Sequence, residues 1–152
     1  MDGIIADKIV NILLVEDNPG DVRLTKESLE ESNIPNYLNV VNDGVEAIAY
    51  LRNEEKYATA ERPDIIFLDL NLPKKNGLEV LAEIKKDPQL KRIPVIILST
   101  SRAEQDIFNA YNLHANCYII KPLSLEGFLD VVKAINNFWF SIVALPTNPH
   151  YS

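Results

Sequence analysis

Ile65-Ile66-Phe67-Leu68-Asp69-Leu70-Asn71-Leu72-Pro73 decides how this chain is read. Four apolar residues run on without alternation and end at a carboxylate. A strand covered on one face alternates apolar with polar residues, whereas one covered on both faces reads as a continuous apolar run. Two further stretches share the pattern: Ile12-Leu13-Leu14-Val15, ending at Glu16-Asp17, and Val95-Ile96-Ile97-Leu98, ending at Ser99-Thr100-Ser101. A more polar stretch, Tyr37-Leu38-Asn39-Val40, suits a sheet edge. The predicted strands are Ile9–Val15, Tyr37–Val41, Ile65–Leu70, Ile93–Leu98 and Cys117–Ile120.

Amphipathic segments separate these runs. Val80, Leu81 and Ile84 form one apolar face, and Ile107, Phe108 and Tyr111 another. Leu125, Phe128, Leu129, Val132, Ile135 and Trp139 form a longer stripe at helical spacing. Ser101 followed by Glu104 predicts a capping box opening the fourth helix, and Asn53–Arg62 predicts a long polar loop. Five strand–helix units in succession imply an α/β fold, a doubly wound parallel sheet with right-handed crossovers.

The chain has 152 residues, 22 acidic against 15 basic, for a formal net charge of −7. That length predicts one domain, and the acidic balance argues against nucleic acid as a partner. A single cysteine excludes an intrachain disulfide and fits a reducing compartment. No apolar run approaches the roughly 18 residues of a membrane helix, and Met1–Lys8 lacks the basic start of a signal peptide. The expectation is a cytoplasmic protein without a membrane partner.

In an open α/β sheet, ligands bind beyond the carboxyl ends of the strands. There the strands would bring together Glu16-Asp17, Asp69, Ser99 and Lys121. Crowded carboxylates need a cation, and hard oxygen ligands favour magnesium over zinc. A lysine and a hydroxyl beside that cation suit a phosphoryl group, and an aspartate can act as nucleophile to form an aspartyl phosphate. The five glycines, at 3, 20, 44, 77 and 127, are too scattered for a phosphate-cradling loop or a dinucleotide fingerprint. Blander readings stand beside these. Asp17-Asn18-Pro19-Gly20-Asp21 also reads as a turn and helix start, Ser101 as a helix cap, and Cys117 as a small buried apolar residue. His114 fits a cation at a helix C-terminus. Asp69 resists such a reading, since a bare carboxylate ending a buried strand is costly unless paired or metal-bound.

Four motifs, in order and spacing, resemble the receiver domain of bacterial two-component response regulators over residues 8–137. They are Leu14-Val15-Glu16-Asp17-Asn18; Leu68-Asp69-Leu70-Asn71-Leu72-Pro73 with Gly77; Ile93-Pro94-Val95-Ile96-Ile97-Leu98-Ser99; and Tyr118-Ile119-Ile120-Lys121-Pro122. The resemblance implies a flavodoxin-like sheet of order 2-1-3-4-5. It implies that Asp69 accepts a phosphoryl group from a sensor histidine kinase, with Mg²⁺ held by Glu16, Asp17, Asp69 and the backbone carbonyl of Asn71. Lys121 would pair with the phosphoryl oxygens, and the Lys121–Pro122 peptide would be cis. Ser99 and Tyr118 would form the switch, and Asn71 and Ser101 would occupy the positions that tune phosphate lifetime. The Glu-Asp pair replaces the family's Asp-Asp, and the longer Glu16 arm leaves room for a water before the metal. A magnesium-dependent phosphatase with an aspartyl nucleophile is the alternative. It would want a carboxylate two residues after Asp69, where this chain has Asn71.

Residues 138–152 exceed what a receiver requires. Phe138, Trp139, Phe140, Ile142, Val143 and Leu145 carry more apolar surface than one helix end buries. They read either as a helix folded onto the core or as an interface, for which a symmetric homodimer is the commonest solution. Together with Asn112-Leu113-His114-Ala115-Asn116-Cys117-Tyr118-Ile119, this tail resembles the single-domain regulators of cyanobacterial phytochrome kinases, which implies a phytochrome-type kinase as partner.

Overall fold

The three unbroken apolar runs lie side by side at the centre of a five-stranded parallel sheet. The computed structural model describes residues 9–32, 34–127 and 131. Its strands are β1 (Val10–Val15), β2 (Asn36–Val41), β3 (Ile65–Asp69), β4 (Val95–Ser99) and β5 (Cys117–Ile120), in the order β2-β1-β3-β4-β5. The helices between them are α1 (Pro19–Glu31), α2 (Gly44–Leu51), α3 (Gly77–Lys86) and α4 (Glu104–Asn112). The expected fold class and strand order are the observed ones.

Parity within each run explains why it does not alternate. Leu13, Val15, Ile66, Leu68, Val95 and Ile97 pack on one face against α2, α3 and α4, through residues such as Ala47, Val80, Leu81, Ile84 and Ala110. Ile12, Leu14, Ile65, Phe67, Ile96 and Leu98 pack on the other, against Leu29 of α1 with Leu123 and Val131. Every residue of β3 and β4 is buried. β2 lies at the edge, with Tyr37 and Val40 exposed.

Strands β1, β2 and β3 differ from their expected bounds by one residue each, and local detail departs from the sequence reading further. Ser101 and Glu104 form no capping box: α4 starts from Ala103 without a side-chain cap, and the Ser101 hydroxyl instead donates to Asp106 and accepts from the Ala103 amide. The capping box is at α3, where Asn76 and Glu79 each accept from the other's backbone N–H. The expected apolar face of α4 is reversed in part. Ala110 is its buried residue, while Phe108 is 63% and Tyr111 48% exposed. β4 begins after Pro94, which has no N–H to give, and extends through Ser99. Finally, the loop after α2 holds a single 3₁₀ turn, Glu55–Tyr57, tied down by Asn53, whose side-chain amide donates to the carbonyls of Tyr57 and Ala60.

The chain is helical again from residue 125 to 127. Of the long stripe, Leu125 is half-buried there, and Phe128, Leu129, Val132, Ile135 and Trp139 lie outside the described residues. So do Phe138, Phe140, Ile142, Val143 and Leu145.

Candidate functional site at the carboxyl edge of the sheet

Strand register alone assembles the site. Val15 pairs with Leu68, so Glu16 and Asp69 follow neighbouring positions at the ends of β1 and β3. Asp69 pairs with Leu98, which places Ser99 one step beyond it on β4. Ser99 pairs with Ile120, so Lys121 follows at the end of β5, and its amide donates to the Ser99 carbonyl at 2.9 Å. The Lys121–Pro122 peptide is cis, as expected.

Two helix starts frame this edge. Asn18 caps α1 by accepting from the Asp21 amide at 3.0 Å, and its own amide donates to the Glu16 carboxylate at 3.2 Å. Gly77 opens α3 directly against the end of β3, donating its N–H to the Leu70 carbonyl at 2.9 Å.

Lys121 is the electrostatic centre. Its ammonium nitrogen lies 2.7 Å from Glu16 Oε1, 3.0 Å from Asp21 Oδ2 and 3.4 Å from Asp69 Oδ2. Glu16, Asp69 and Ser99 are buried, so the pairing offsets a desolvation cost that unpaired carboxylates would bear in full. Burial pushes the Glu16 carboxyl up to about 6, with Asp69 adding to the rise and the Lys121 hydrogen bond opposing it. Burial pulls the Lys121 ammonium down, but hydrogen bonds to Glu16 and Asp21 and the charge of Asp69 outweigh it and carry it above the ordinary lysine range. Lys121 holds its proton more tightly because it serves several carboxylates, and Glu16 does so chiefly because it is buried.

That excess of negative charge suits a metal. One carboxylate oxygen each from Glu16, Asp17 and Asp69 lies within 4.8 Å of the others. Asp17 is exposed, so it can adjust and leaves an open side for water. An all-oxygen set of this kind fits a hard divalent cation, whose ligands at about 2.1 Å would draw the oxygens slightly closer. The residues present fit such an ion.

The remaining expected residues line the same edge. The Asn71 amide donates to Asp69 Oδ1 at 3.3 Å, and its side chain is exposed. The Ser99 hydroxyl oxygen accepts from the Ser101 amide at 3.0 Å. The half-buried Tyr118 is fastened to the same loop, its hydroxyl donating to the Ser101 carbonyl at 3.0 Å. Asp21 is the participant that sequence reasoning missed. In the sequence it reads as part of a local turn, and its contact with Lys121 spans 100 residues, beyond any local pattern. Its position four residues after Asp17, inside the first helical turn facing this edge, was the available signal.

Residues 12–133 match the response regulator receiver domain family. The chain is 49% identical over 135 residues to the response regulator Rcp1 of Synechocystis sp., covering 89% of this chain and 92% of that protein. Among solved structures it is similar to the phosphorylated cyanobacterial phytochrome response regulator RcpA, at 58% identity over 87% of this chain and 94% of that one, with a TM-score of 0.74. It is also similar to the Mn²⁺-bound form of Rcp1, at 48% identity over 86% and 94% of the two chains, with a TM-score of 0.73. The matched span contains every one of the strand-end residues that meet at Lys121, and this chain belongs to the response regulator receiver domain family.

Proposed function

We propose that the chain is a phosphorylation-controlled binding module in which Asp69 is the phosphoacceptor and a sensor histidine kinase the donor. The observation that carries this reading is the buried Asp69 carboxylate, 3.4 Å from the Lys121 ammonium and grouped with Glu16 and Asp17. An Asp69 carboxylate oxygen attacks phosphorus, the P–N bond of the phosphohistidine breaks, and the imidazole leaves. Lys121 pairs with the phosphoryl oxygens as charge collects there. Glu16, Asp17, Asp69 and the backbone carbonyl of Asn71 would hold Mg²⁺, which would supply positive charge to offset the carboxylates and the phosphoryl group. The relatives' Mn²⁺-bound structure supports a divalent ion at such a site.

Ser99 and Tyr118 are the switch. Both are tied to the segment at Ser101, Ser99 through the Ser101 amide and Tyr118 through its carbonyl. A hydroxyl drawn from that amide toward a phosphoryl group would disturb the anchorage of Tyr118 and shift the face formed by α4 and β5 between two states. Asn71 and Ser101, each two residues beyond Asp69 and Ser99, set phosphate lifetime. The chain works in the cytoplasm as a signalling protein, not as a turnover enzyme. Its kinase is of the phytochrome type, a reading supported by the similarity to Rcp1 and RcpA. Residues 8–137 are the receiver, and the apolar residues 138–145 join two copies as a homodimer.

The test is intact mass after incubation with Mg²⁺ and acetyl phosphate. The wild-type chain gains about 80 Da, one phosphoryl group. Asp69→Asn and a chelator each abolish the gain. An unmodified wild-type chain overturns the reading, as does sustained turnover of unrelated phosphate esters.

A further inference from the structure

Asp21 is the carboxylate that the phosphoacceptor reading leaves unused. Its side chain is about one-third exposed, at the third position of α1, yet Oδ2 reaches the Lys121 ammonium at 3.0 Å. Lys121 is therefore nearer to Glu16 and to Asp21 than to Asp69, which stands at 3.4 Å. A metal ion held by Glu16, Asp17 and Asp69 would engage the Glu16 charge. Asp21 would then remain as the rival anion for Lys121.

We propose that Asp21 is a positioning residue that restrains Lys121 and so lowers the rate at which Asp69 is phosphorylated. The inference rests on the phosphoacceptor reading given above. Two physical effects act in the same direction. Asp21 occupies a hydrogen-bonding direction of the ammonium that a phosphoryl oxygen would otherwise take. It also adds a negative charge in contact with the same ammonium that faces Asp69, which opposes the approach of an anionic donor. Four carboxylates surround this edge, with Lys121 as the one cation contacting them among the described residues, so removing Asp21 leaves Mg²⁺ and Lys121 to balance the other three. The helix start does not depend on the Asp21 side chain, because the α1 cap is made by its backbone amide to Asn18.

The experiment measures phosphorylation rates of the full chain at saturating Mg²⁺, with two donors that differ in charge. Acetyl phosphate is a dianion at neutral pH, and phosphoramidate carries about one negative charge less. Asp21→Asn raises the rate about three- to tenfold with acetyl phosphate, the scale expected for one charge removed at this range. The gain is smaller with phosphoramidate. Asp21→Glu, which keeps the charge, returns the rate toward wild type. Asp21→Ser runs in parallel, so that a folding defect in one neutral variant leaves the other readable. In a Lys121→Met background, most of the gain is lost. Equal rates for wild type and both neutral variants, or a change independent of donor charge, overturn the proposal while leaving Asp69 as phosphoacceptor. An unmodified wild-type chain overturns the phosphoacceptor reading and this proposal with it.

Discussion

Gly77 meets the backbone of Asp69 so closely that a Cβ on Gly77 would stand 2.3 Å from the Asp69 carbonyl oxygen. The same Cβ would lie 2.6 Å from the Leu70 Cα. Both neighbours are backbone, which cannot swing aside as a side chain can. Space, not backbone conformation, therefore requires glycine here, since no glycine among the described residues has positive φ. Gly77→Ala must separate the start of α3 from the end of β3, where Asp69 sits. The expected cost is about 1–3 kcal/mol of stability, the range for overpacking, read from urea unfolding. Phosphorylation of the folded variant falls as well, because the shift moves Asp69 relative to Lys121. Unchanged stability would show that the two elements separate freely.

Lys121→Met removes the cation from a site that keeps its carboxylates. Glu16 and Asp69 are both buried and lose the ammonium at 2.7 and 3.4 Å. Breaking a buried pair by deleting one partner typically costs about 3–5 kcal/mol. Without metal at neutral pH the variant should lose stability on that scale. The loss shrinks in mild acid, where a carboxylate takes up a proton, and with added Mg²⁺, which replaces the missing charge. Urea unfolding at two pH values, with and without Mg²⁺, checks both recoveries. A loss that neither condition relieves would assign the defect to packing.

With Glu16 as a metal ligand, as proposed, metal binding is coupled to pH. Burial raises its carboxyl from 4.5 to about 6, so the metal-free folded chain holds this proton more tightly than the unfolded chain. Its contribution to stability is full below about 4.5 and is lost as pH rises through about 6, on the order of 2 kcal/mol in total. A divalent ion needs the ionised form. Mg²⁺ affinity therefore falls as pH drops below about 6. Binding there releases close to one proton, and binding well above that pH releases almost none. Titration calorimetry in buffers of different ionisation enthalpy reads the proton directly. Release that does not change across this range would exclude Glu16 as its source.

The fold was legible because the unbroken runs at Leu13, Phe67 and Ile96 can be satisfied only by cover on both faces, and the carboxyl ends of those runs carried the chemistry. Register then did the rest, converting the ends of β1, β3, β4 and β5 into neighbours. What escaped had a different origin. Asp21 acts across 100 residues, which no local pattern records. Ser101-x-x-Glu104 had the spacing of a capping box, but the Ser101 hydroxyl turns to Asp106, and helix α4 begins without it. Ile107, Phe108 and Tyr111 read as one apolar helix face by their spacing. However, α4 meets the sheet through Ala110, whose small side chain permits a close approach that leaves its larger neighbours outside.

Cys117 is a reporter on the β5 edge of the sheet, packed on the same face as Ile65 and Phe67 of β3. It opens β5 and lies buried beside a cleft of about 350 Å³ lined by Tyr111, Tyr118, Ile119, Gly127 and Val131. Burial pushes its thiol above the ordinary cysteine range, and only the thiolate attacks an alkylating reagent. Low accessibility and a low thiolate fraction act together, so the folded chain should react with iodoacetamide at least about tenfold more slowly than the urea-unfolded chain. The rate in the folded state rises with pH to values beyond those at which a free cysteine levels off. Intact mass against time, in native buffer and in urea, gives both rates. If the switch at Ser99 and Tyr118 shifts strand β5, phosphorylation of Asp69 also changes the native rate, because Tyr118 follows Cys117 on that strand although it packs on the other face. Equal rates in native buffer and in urea would show that β5 opens to solvent as readily as an unfolded chain.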